Sequence, residues 1–526
     1  MSDLTKSILE LEEIKKIQPD FSQIKIIDKD TCEKIQVIIF DKDKSTLKLL
    51  TTNNFPKQLQ KLLLMLEEKG YKNEIYYTSI DGFNYAIGWY DQLLLQEQRF
   101  QEQERAEKQA VGKGAIAVIQ QIFEKRNSID PGEFIMQIIK LAFQTGASDL
   151  HFQSEDSGVL IRIRIDGVLQ EILEFTHDDF RKYLQKIKFI SGAKMNIDYI
   201  PEDGRFNFIA NDKDGNEKKI DARVSFIPGI VEESTVIRFL DSTSGIKTFD
   251  ELGFVGKSYD LLQKHLAKNT GIIIFSGPTG SGKTTTLYSI LRYLNNGKEK
   301  IITLEDPVEY EIPGIQQSQI NYNKGYTYEV GLKSVLRHDP DIILVGETRT
   351  LETAEISINA ALTGHLVFTT LHTNTAIDSI YRLLNMGVKA YTLAPSLNLI
   401  VSQRLVRKVC PHCSTKREAD YSESAEISES VKKINDINPV FKLDFHKQIP
   451  QIVGCDQCNG TGYIGRMVIT ELFEVTDEIK QMIVAGGSSI EIYGKARENG
   501  YLTMKEDGIM KVLDGLTTLD EIRRVL

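Results

Sequence analysis

Residues 271–288, GIIIFSGPTGSGKTTTLY, decide the fold. An apolar run ends at Ser276 and leads into GPTGSGKT, which fits the phosphate-loop pattern completely. Its glycines let the backbone curl so that N–H groups face phosphates, while Lys283 supplies a positive charge and Thr284 a hydroxyl for Mg²⁺. An ordinary glycine-rich turn is the alternative, but the strand before it and the helix after it disfavour that interpretation. The stretch therefore predicts a nucleoside triphosphate site whose contacts are Gly277, Pro278, Thr279, Gly280, Ser281, Gly282, Lys283, Thr284 and Thr285.

The composition is that of a globular protein. The chain has 526 residues, of which 41% are hydrophobic and 26% charged, and its length predicts about three or four domains. A net charge of -10 argues against nucleic acid as the main partner, although a local basic groove stays compatible with it. No apolar run approaches the roughly 18 residues that span a bilayer, and the start of the chain lacks a signal-peptide pattern. We therefore expect a cytoplasmic protein.

The first 90 residues predict a small α/β unit with no catalytic pattern, with strands at 35–40, 45–50 and 74–79 and a helix at 55–70. Cys32 in this unit is predicted to be a small core residue rather than a nucleophile. Residues 91–110 are rich in Gln and Glu, which suits an exposed helix or a stiff linker. We place a domain boundary there.

A second α/β domain is predicted from about residue 129. The alternation in VLIRIRIDG puts Arg162 and Arg164 on one face of a half-buried strand, where we expect them to be solvated. Guanidinium groups near a phosphate site can act in phosphoryl transfer, but a surface arginine is the commoner case. From the residues alone, the surface role is favoured for three later arginines, Arg205, Arg223 and Arg238.

Carboxylates follow the phosphate loop in two places. The segment TLEDPVEYE, residues 303–311, suits water activation or Mg²⁺ binding, with a merely charged loop as an equal alternative. Farther on, a buried-type strand at 342–345 ends in Gly346 and Glu347. A nucleotide-binding α/β fold usually has an Asp at the strand end, so Glu347 must carry the Mg²⁺-directed carboxylate here.

Two histidines, His365 and His372, lie on either side of another apolar strand. A neutral core histidine is the commonest role for such a residue. Because both are predicted beside the nucleotide, we give a functional role equal weight.

Two CxxC pairs predict a metal site. Cys410, Cys413, Cys455 and Cys458 offer four thiolates, a donor set that favours tetrahedral Zn²⁺. Free thiols are the alternative. Residues 414–454 between the pairs are predicted to form an excursion of their own, and His412 is predicted to be exposed because four cysteines complete the shell.

Three long segments resemble, in this order, the secretion ATPases of type II secretion and type IV pilus systems: GPTGSGKTTTLYS, ITLEDPVEYEIPGIQQSQIN and LRHDPDIILVGETRTLETAEISINAALTGHLVFTTLHTN. ASDLHF, RIDGVLQE and PEDGRF resemble the pre-motor domain of that family. The tetracysteine motif is similar to that of its pilus-assembly and secretion members, closest in pattern to pilus assembly. The resemblance runs from about residue 129 to the C-terminus, whereas the first 125 residues match only loosely.

The resemblance also implies roles for individual residues. Glu309 matches the glutamate that activates the attacking water, and Glu347 matches the one that coordinates Mg²⁺ with the phosphate-loop Thr284. Arg223 and Arg238 match arginines that reach the γ-phosphate when the domains close, which reverses their assignment as surface residues.

Two further positions relate to the family pattern. His365 and His372 match its histidine box. Thr350 stands where the family usually has Asp, which puts any ion pair there in doubt.

The predicted fold is α/β, with a RecA-like P-loop ATPase core preceded by a smaller PAS-like domain. The predicted domains are an N-terminal docking domain at 1–90, a helical linker at 91–128, the PAS-like pre-motor domain at 129–244, the RecA-like core at 245–405, a tetracysteine zinc subdomain at 406–465 and a helical region at 466–526.

The function implied is that of a homohexamer that hydrolyses ATP, with Mg²⁺ and Zn²⁺ as cofactors. It would drive pilin or pseudopilin assembly at the inner membrane through a platform protein. A nucleotide-dependent regulatory module or a DNA translocase on the same fold is the alternative. The set of Lys283, Glu309 and Glu347 argues against a mere binder, and the acidic balance argues against a translocase. The residues do not distinguish a pilus from a secretion or DNA-uptake machine.

Overall fold

A computed structural model describes residues 7–17, 19, 24–43, 46–52, 55–91, 93, 115–241, 247–437, 442–445 and 447–526. The chain divides into two compact units, Met1–Gln109 and Ala110–Leu526. The linker predicted at 91–128 lies outside the described residues from 94 to 114. Among the helices of the described residues, none combines the length with the apolar composition that a membrane span requires.

The first unit is a four-stranded sheet with helices packed on it. Its strands are β1 (Ser7–Ile8), β2 (Val37–Asp43), β3 (Thr46–Thr51) and β4 (Lys72–Tyr77), in the order β1-β4-β3-β2. Its helices are α1 (Leu11–Ile14), α2 (Lys29–Ile35), α3 (Pro56–Glu68) and α4 (Ile80–Ile87). The predicted strands and helix are confirmed. Cys32 is fully buried, and burial raises the pKa of its thiol to about 12, which confirms it as a core residue.

The second unit begins with a six-stranded antiparallel sheet. Its strands are β5 (Ala147–Ser154), β6 (Val159–Ile165), β7 (Val168–Phe175), β8 (Glu202–Asn211), β9 (Glu217–Ile227) and β10 (Ser234–Asp241), in the order β7-β6-β5-β10-β9-β8. Helices α5 (Ala115–Glu124), α6 (Pro131–Gln144) and α7 (His177–Ser191) cover its apolar face, where Phe152 stacks on Phe180 with ring centroids 5.4 Å apart. Side chains alternate along a strand, so the opposite face carries the charged residues.

A mostly parallel seven-stranded sheet follows. It consists of β11 (Gly271–Ser276), β12 (Ile301–Glu305), β13 (Gln316–Gln319), β14 (Ile342–Val345), β15 (Leu366–Leu371), β16 (Leu397–Val409) and β19 (Tyr463–Glu474). The order is β13-β12-β14-β15-β11-β16-β19, and β19 alone runs antiparallel to its neighbour. Every residue of β11 is buried, because helices cover both faces of a parallel sheet. These helices include α8 (Phe249–Leu252), α9 (Lys257–Leu266), α10 (Lys283–Leu294), α11 (Tyr328–Val335), α12 (Leu351–Leu362), α13 (Ala376–Asn385) and α14 (Ala390–Ser396).

The C-terminal part adds a small sheet and helices. β17 (Thr415–Glu418) pairs with β18 (Gln448–Gln451), and α15 (Tyr421–Ile437) lies between them in the chain, so the predicted excursion has structure of its own. Four helices end the chain: α16 (Asp477–Val484), α17 (Ser489–Glu498), α18 (Met504–Leu513) and α19 (Leu519–Val525).

Two predicted domain boundaries need correction. Those after residues 405 and 465 fall inside β16 and β19, which pair with each other and form the last two strands of the main sheet. The region predicted as helical from 466 therefore begins with strand residues. The cysteine spacing indicated a separate segment but carried no information about strand pairing around it.

Candidate functional site

The phosphate loop joins β11 to α10 and is held against β16. Gly277 has a φ of 141°, and a Cβ there would lie 2.6 Å from the Gln403 carbonyl oxygen, so only glycine fits. Gln403 Nε2 also donates to the Ser281 carbonyl oxygen at 2.8 Å. Lys283 Nζ donates to the carbonyl oxygens of Gly277 and Pro278, at 2.7 and 3.1 Å. The lysine thus folds over its own loop, where phosphate oxygens would replace the carbonyls as acceptors.

A cleft of about 480 Å³ opens over this loop. The sheet order explains its walls, because β15, β14 and β12 lie on one side of β11 while β16 and β19 lie on the other. Carboxyl ends of parallel strands meet at one edge, which is where such sheets bind ligands. Glu309, Glu347 and His372 line the first wall, and Leu405 and Arg466 line the second.

The three glutamates of the acidic segment, which begins at the last residue of β12, have different surroundings. Glu305 is buried, and its Oε1 accepts hydrogen bonds from Thr303 Oγ1 at 2.5 Å and from Gln317 Nε2 at 3.2 Å. Glu311 lies in a neighbouring side cleft, outside the nucleotide cleft. The side chain of Glu309 is 37% exposed and lines the nucleotide cleft. Of these three glutamates, Glu309 is the one with a carboxylate available to a water at the phosphates.

Glu347 follows the end of β14, one residue later than the usual carboxylate. A Cβ on Gly346 would lie 2.8 Å from the Tyr328 hydroxyl, so a side chain does not fit at the strand end itself. Glu347 Oε1 lies 2.7 Å from Arg349 Nε, and Oε2 lies 3.9 Å from His372 Nε2. A carboxylate in this place suits Mg²⁺, which prefers oxygen ligands.

The two predicted histidines lie at opposite ends of β15. His372 lines the cleft. Burial lowers the pKa of its imidazole, and the positive charge of Lys283 lowers it further, whereas the negative charge of Glu347 raises it. His365 precedes the strand, and its Nδ1 is 2.8 Å from the Ala360 carbonyl oxygen. Six strand residues separate the two, a distance of about 20 Å. The structure brings His372, but not His365, to the cleft of its own chain.

Three arginines from the antiparallel sheet stand side by side. Arg205, Arg223 and Arg238 are cross-strand partners on β8, β9 and β10. Arg223 Nη1 lies 3.4 Å from Glu309 Oε2, so this side chain reaches a residue of the nucleotide cleft. Arg238 binds Asp149 Oδ1 through its Nε at 2.8 Å. Of the three arginines, Arg223 is the one that contacts the cleft in this structure.

Thr350 makes hydrogen bonds where the family usually has an acidic residue. Its Oγ1 donates to Glu329 Oε1 at 2.7 Å and accepts from the Thr353 backbone at 3.2 Å, so it caps α12.

Some residues of the cleft belong to no motif of the sequence, because only the tertiary fold brings them there. Leu405 and Arg466 come from β16 and β19, far along the chain from the phosphate loop. Arg466 lies in the segment CNGTGYIGRMVITELFEV. Its place directly before an apolar run was the one feature of the sequence that could have indicated a role in the cleft. Arg349 was missed as well, although it follows Glu347 closely in sequence.

The four predicted cysteines form one cluster, with sulfur atoms all within 4.8 Å of one another. The Sγ–Sγ distances are 3.9 Å for Cys410 and Cys455, 3.8 Å for Cys413 and Cys458, and 3.7 Å for Cys455 and Cys458. A tetrahedral zinc with Zn–S bonds of about 2.3 Å requires sulfur separations of about 3.8 Å. The geometry therefore fits Zn²⁺, and His412 is exposed beside the cluster, as predicted.

Comparison with known proteins agrees with this arrangement. Residues 126–524 match the family model described as type II/IV secretion system protein. The type IV pilus assembly ATPase PilB of Thermus thermophilus is 40% identical over 390 residues, which cover 74% of this chain and 42% of that protein. The type II secretion system protein E of Pseudomonas aeruginosa is 38% identical over 391 residues, which cover 74% of each chain. The Legionella pneumophila ATPase DotB shares the fold, with a TM-score of 0.53 at 20% identity over 74% of this chain and 94% of its own.

The chain spans less than half the length of the Thermus relative but about three quarters of the Pseudomonas one. The family model covers most of the chain, including the phosphate loop, both glutamates and the cysteine cluster. The resemblance found in the sequence motifs is confirmed, and the chain belongs to the type II/IV secretion system protein family.

Proposed function

We propose that this chain is a motor ATPase of a type IV pilus or type II secretion machine. The observation that carries the proposal is that Lys283 and Glu309 line one cleft and that Arg223 contacts Glu309. Lys283 comes from the phosphate loop, Glu309 from the segment after β12, and Arg223 from the preceding antiparallel sheet. Family membership supports the choice of machine, because the relatives are named for pilus assembly and for type II secretion.

In the proposed reaction, Glu309 takes a proton from the water that attacks the γ-phosphorus of ATP. The bond from that phosphorus to the bridging oxygen breaks, and ADP and inorganic phosphate form. Lys283 holds the β- and γ-phosphates, while Arg223 and Arg238 stabilise charge on the transferred group. Thr284 and Glu347 would hold Mg²⁺, which neutralises charge on the phosphate oxygens when bound.

The contact between Arg223 and Glu309 also suggests how ATP hydrolysis could move one part of the chain relative to another. Arg223 belongs to β9 of the antiparallel sheet and Glu309 to the segment that follows β12 of the parallel sheet, so occupancy of the cleft changes a contact between these two parts of the chain. We assign to the chain a homohexameric ring and an inner-membrane platform protein as partner, on the support of family membership. Residues 1–90 keep the predicted role of docking domain, and direct binding of nucleic acid is not part of the proposal.

Steady-state ATP turnover, measured with and without DNA, tests the proposed function. A motor of pilus or secretion machinery should hydrolyse ATP at a rate that DNA does not change. A regulatory module would bind ATP without turnover, and a DNA translocase would be stimulated by DNA. Either result would contradict the proposal.

Nucleotide binding should depend on the charge of Lys283. Burial lowers the pKa of this lysine to about 8, and Arg404 acts in the same direction while Glu347 opposes it. Because the protonated form binds phosphate, ATP affinity should fall about tenfold between pH 7 and pH 9 as the free lysine loses its proton. Lys283→Ala should bind ATP weakly at every pH. Titration with a fluorescent ATP analogue measures this, and parallel pH profiles for both proteins would contradict the assignment.

The purified protein should carry about one Zn²⁺ per chain, held by the four clustered cysteines. Cys458→Ser should lose the metal and increase hydrogen exchange in residues 410–465, while it spares the phosphate loop. A structural zinc contributes on the order of 10 kcal/mol of apparent binding free energy, enough to hold a segment with little core. Cys32→Ala, which removes a cysteine of the first unit, is the control and should keep its zinc. Metal analysis that finds none in a sample prepared without chelator would remove the idea.

A further inference from the structure

One row of charged residues crosses five strands of the antiparallel sheet. Arg164, Asp149, Arg238, Arg223 and Arg205 occupy β6, β5, β10, β9 and β8 in direct cross-strand register. Cross-strand neighbours approach to about 5 Å between Cβ atoms, and like charges placed there repel. Within this row of five positions Asp149 supplies the one carboxylate, and the other four positions are arginines.

Asp149 is the buried member of this row, with its side chain 6% exposed. Its Oδ1 accepts from Arg238 Nε at 2.8 Å, and its Oδ2 accepts from Ser148 Oγ at 2.8 Å. Arg164 Nε lies 3.5 Å from Oδ2. Burial alone would raise the pKa of Asp149, but the hydrogen bonds from Arg238 and Ser148 lower it overall. The carboxylate is therefore ionised at neutral pH and occupied on both oxygens.

The contact with Asp149 fixes one edge of the Arg238 guanidinium and leaves the other edge open. The side chain of Arg238 is 64% exposed, and its Nε is the nitrogen that binds the aspartate. Among the described residues, its two Nη groups make no hydrogen bond or ion pair. A planar guanidinium held at Nε presents its remaining N–H groups as an oriented fork, which matches phosphate geometry.

The same carboxylate also connects to the nucleotide cleft through Arg164. Arg164 Nη1 donates to the Gly167 carbonyl oxygen at 3.1 Å, in the turn between β6 and β7. Asp166 of that turn accepts from the Gly465 backbone N–H at 2.8 Å. Gly465 precedes Arg466, which lines the cleft. Asp149 thus lies between Arg238 and the turn that fastens this sheet to β19.

We propose that Asp149 is a positioning residue, which orients Arg238 so that its two Nη groups stay available to the terminal phosphate of ATP. The inference rests on the proposed function, since Arg238 has this task only in a chain that hydrolyses ATP. Asp149 is a residue to which the sequence motifs assigned no role. Arg164, which was predicted to be a solvated surface residue, helps to hold Asp149 in place.

The test is a double-mutant cycle between Asp149 and Arg238. Asp149→Asn should lower kcat at least fivefold and leave the Kd for ATP within about twofold, because a transition-state contact is lost and ground-state binding is not. The Asp149→Asn, Arg238→Ala double variant should turn over no more slowly than Arg238→Ala alone, since both changes remove one interaction. A merely structural role of Asp149 would instead lower kcat again in the double variant, and that result would overturn the proposal.

Two further variants keep the test informative if Asp149→Asn folds poorly. Arg238→Lys keeps the positive charge, but its single ammonium group cannot bind Asp149 and a phosphate through separate nitrogens as a guanidinium can. This variant should therefore be as slow as Arg238→Ala. Near wild-type turnover would overturn the proposal. Asp221→Asn is the matched control, because Asp221 binds Arg205 Nε at 2.7 Å on the same face of the sheet. It should turn over normally. An inactive wild-type protein would instead contradict the proposed function itself.

Discussion

Glu309→Gln should bind ATP as the wild type does and hydrolyse it at least about a hundredfold more slowly. The amide keeps the shape and polarity of the side chain but is too weak a base to take a proton from water. Phosphate binding depends instead on Lys283 and on the loop backbone, which the change leaves untouched. Binding and turnover should therefore separate cleanly in this variant.

The matched control is Glu311→Gln, which makes the same change in the neighbouring side cleft and outside the nucleotide cleft. It should retain near wild-type turnover. Steady-state phosphate release and equilibrium binding of a fluorescent ATP analogue give the two quantities for each variant. Rapid hydrolysis by Glu309→Gln, or an equal loss in both variants, would remove Glu309 as the general base.

The parts of the site that sequence predicted are the local ones. The phosphate loop is one continuous segment, and its glycine spacing has a direct physical meaning in the backbone around Gly277. The cysteine cluster was predictable for a similar reason, because two CxxC pairs and a metal's preferred geometry leave few arrangements. The choice among the acidic residues after β12 needed the family pattern, and the structure now gives it a physical basis in the occupied carboxylate of Glu305.

The rest depends on which strands become neighbours. Sequence placed Arg223 and Glu309 in different domains, and only the packing of two sheets brings them to 3.4 Å. It placed His365 and His372 together, whereas a strand pointing from one edge of the sheet to the other separates them. The buried role of Asp149 follows from strand register, since a shift by one residue would have turned it to the apolar face. The hydrophobic pattern of the sequence and the spacing of its motifs carry no information about which strands pair over long distances.

Arg223→Ala should reduce kcat by at least tenfold, and by up to about 10³, with a much smaller change in ATP affinity. Arg223 Nη1 lies 3.4 Å from Glu309 Oε2. When ATP enters, the developing negative charge on the transferred phosphate competes with that carboxylate for the guanidinium. Charge that develops during transfer is stabilised by the arginine, whereas the phosphates of bound ATP are already held by the loop.

Arg238→Ala should likewise lower kcat with a much smaller change in the Kd for ATP, for the same reason. The two residues are cross-strand partners, so they serve one closed arrangement of the sheet over the cleft. The double variant should therefore be little slower than the slower single one. Arg205→Ala supplies the control, because Arg205 stands in the same row, is 68% exposed and is paired with Asp221. Its turnover should stay near that of the wild type.

Measurement of kcat and nucleotide Kd for these variants decides between two roles for the row. If the arginines act on the transferred phosphate, kcat falls in Arg223→Ala and Arg238→Ala while the Kd for nucleotide of both variants stays nearly unchanged. The kcat of Arg205→Ala should then stay near that of the wild type. If the row is only a solvated charged face, all three variants turn over like the wild type. Multiplicative losses in the double variant would show that the two arginines act in separate steps, and a single closed state would no longer account for them.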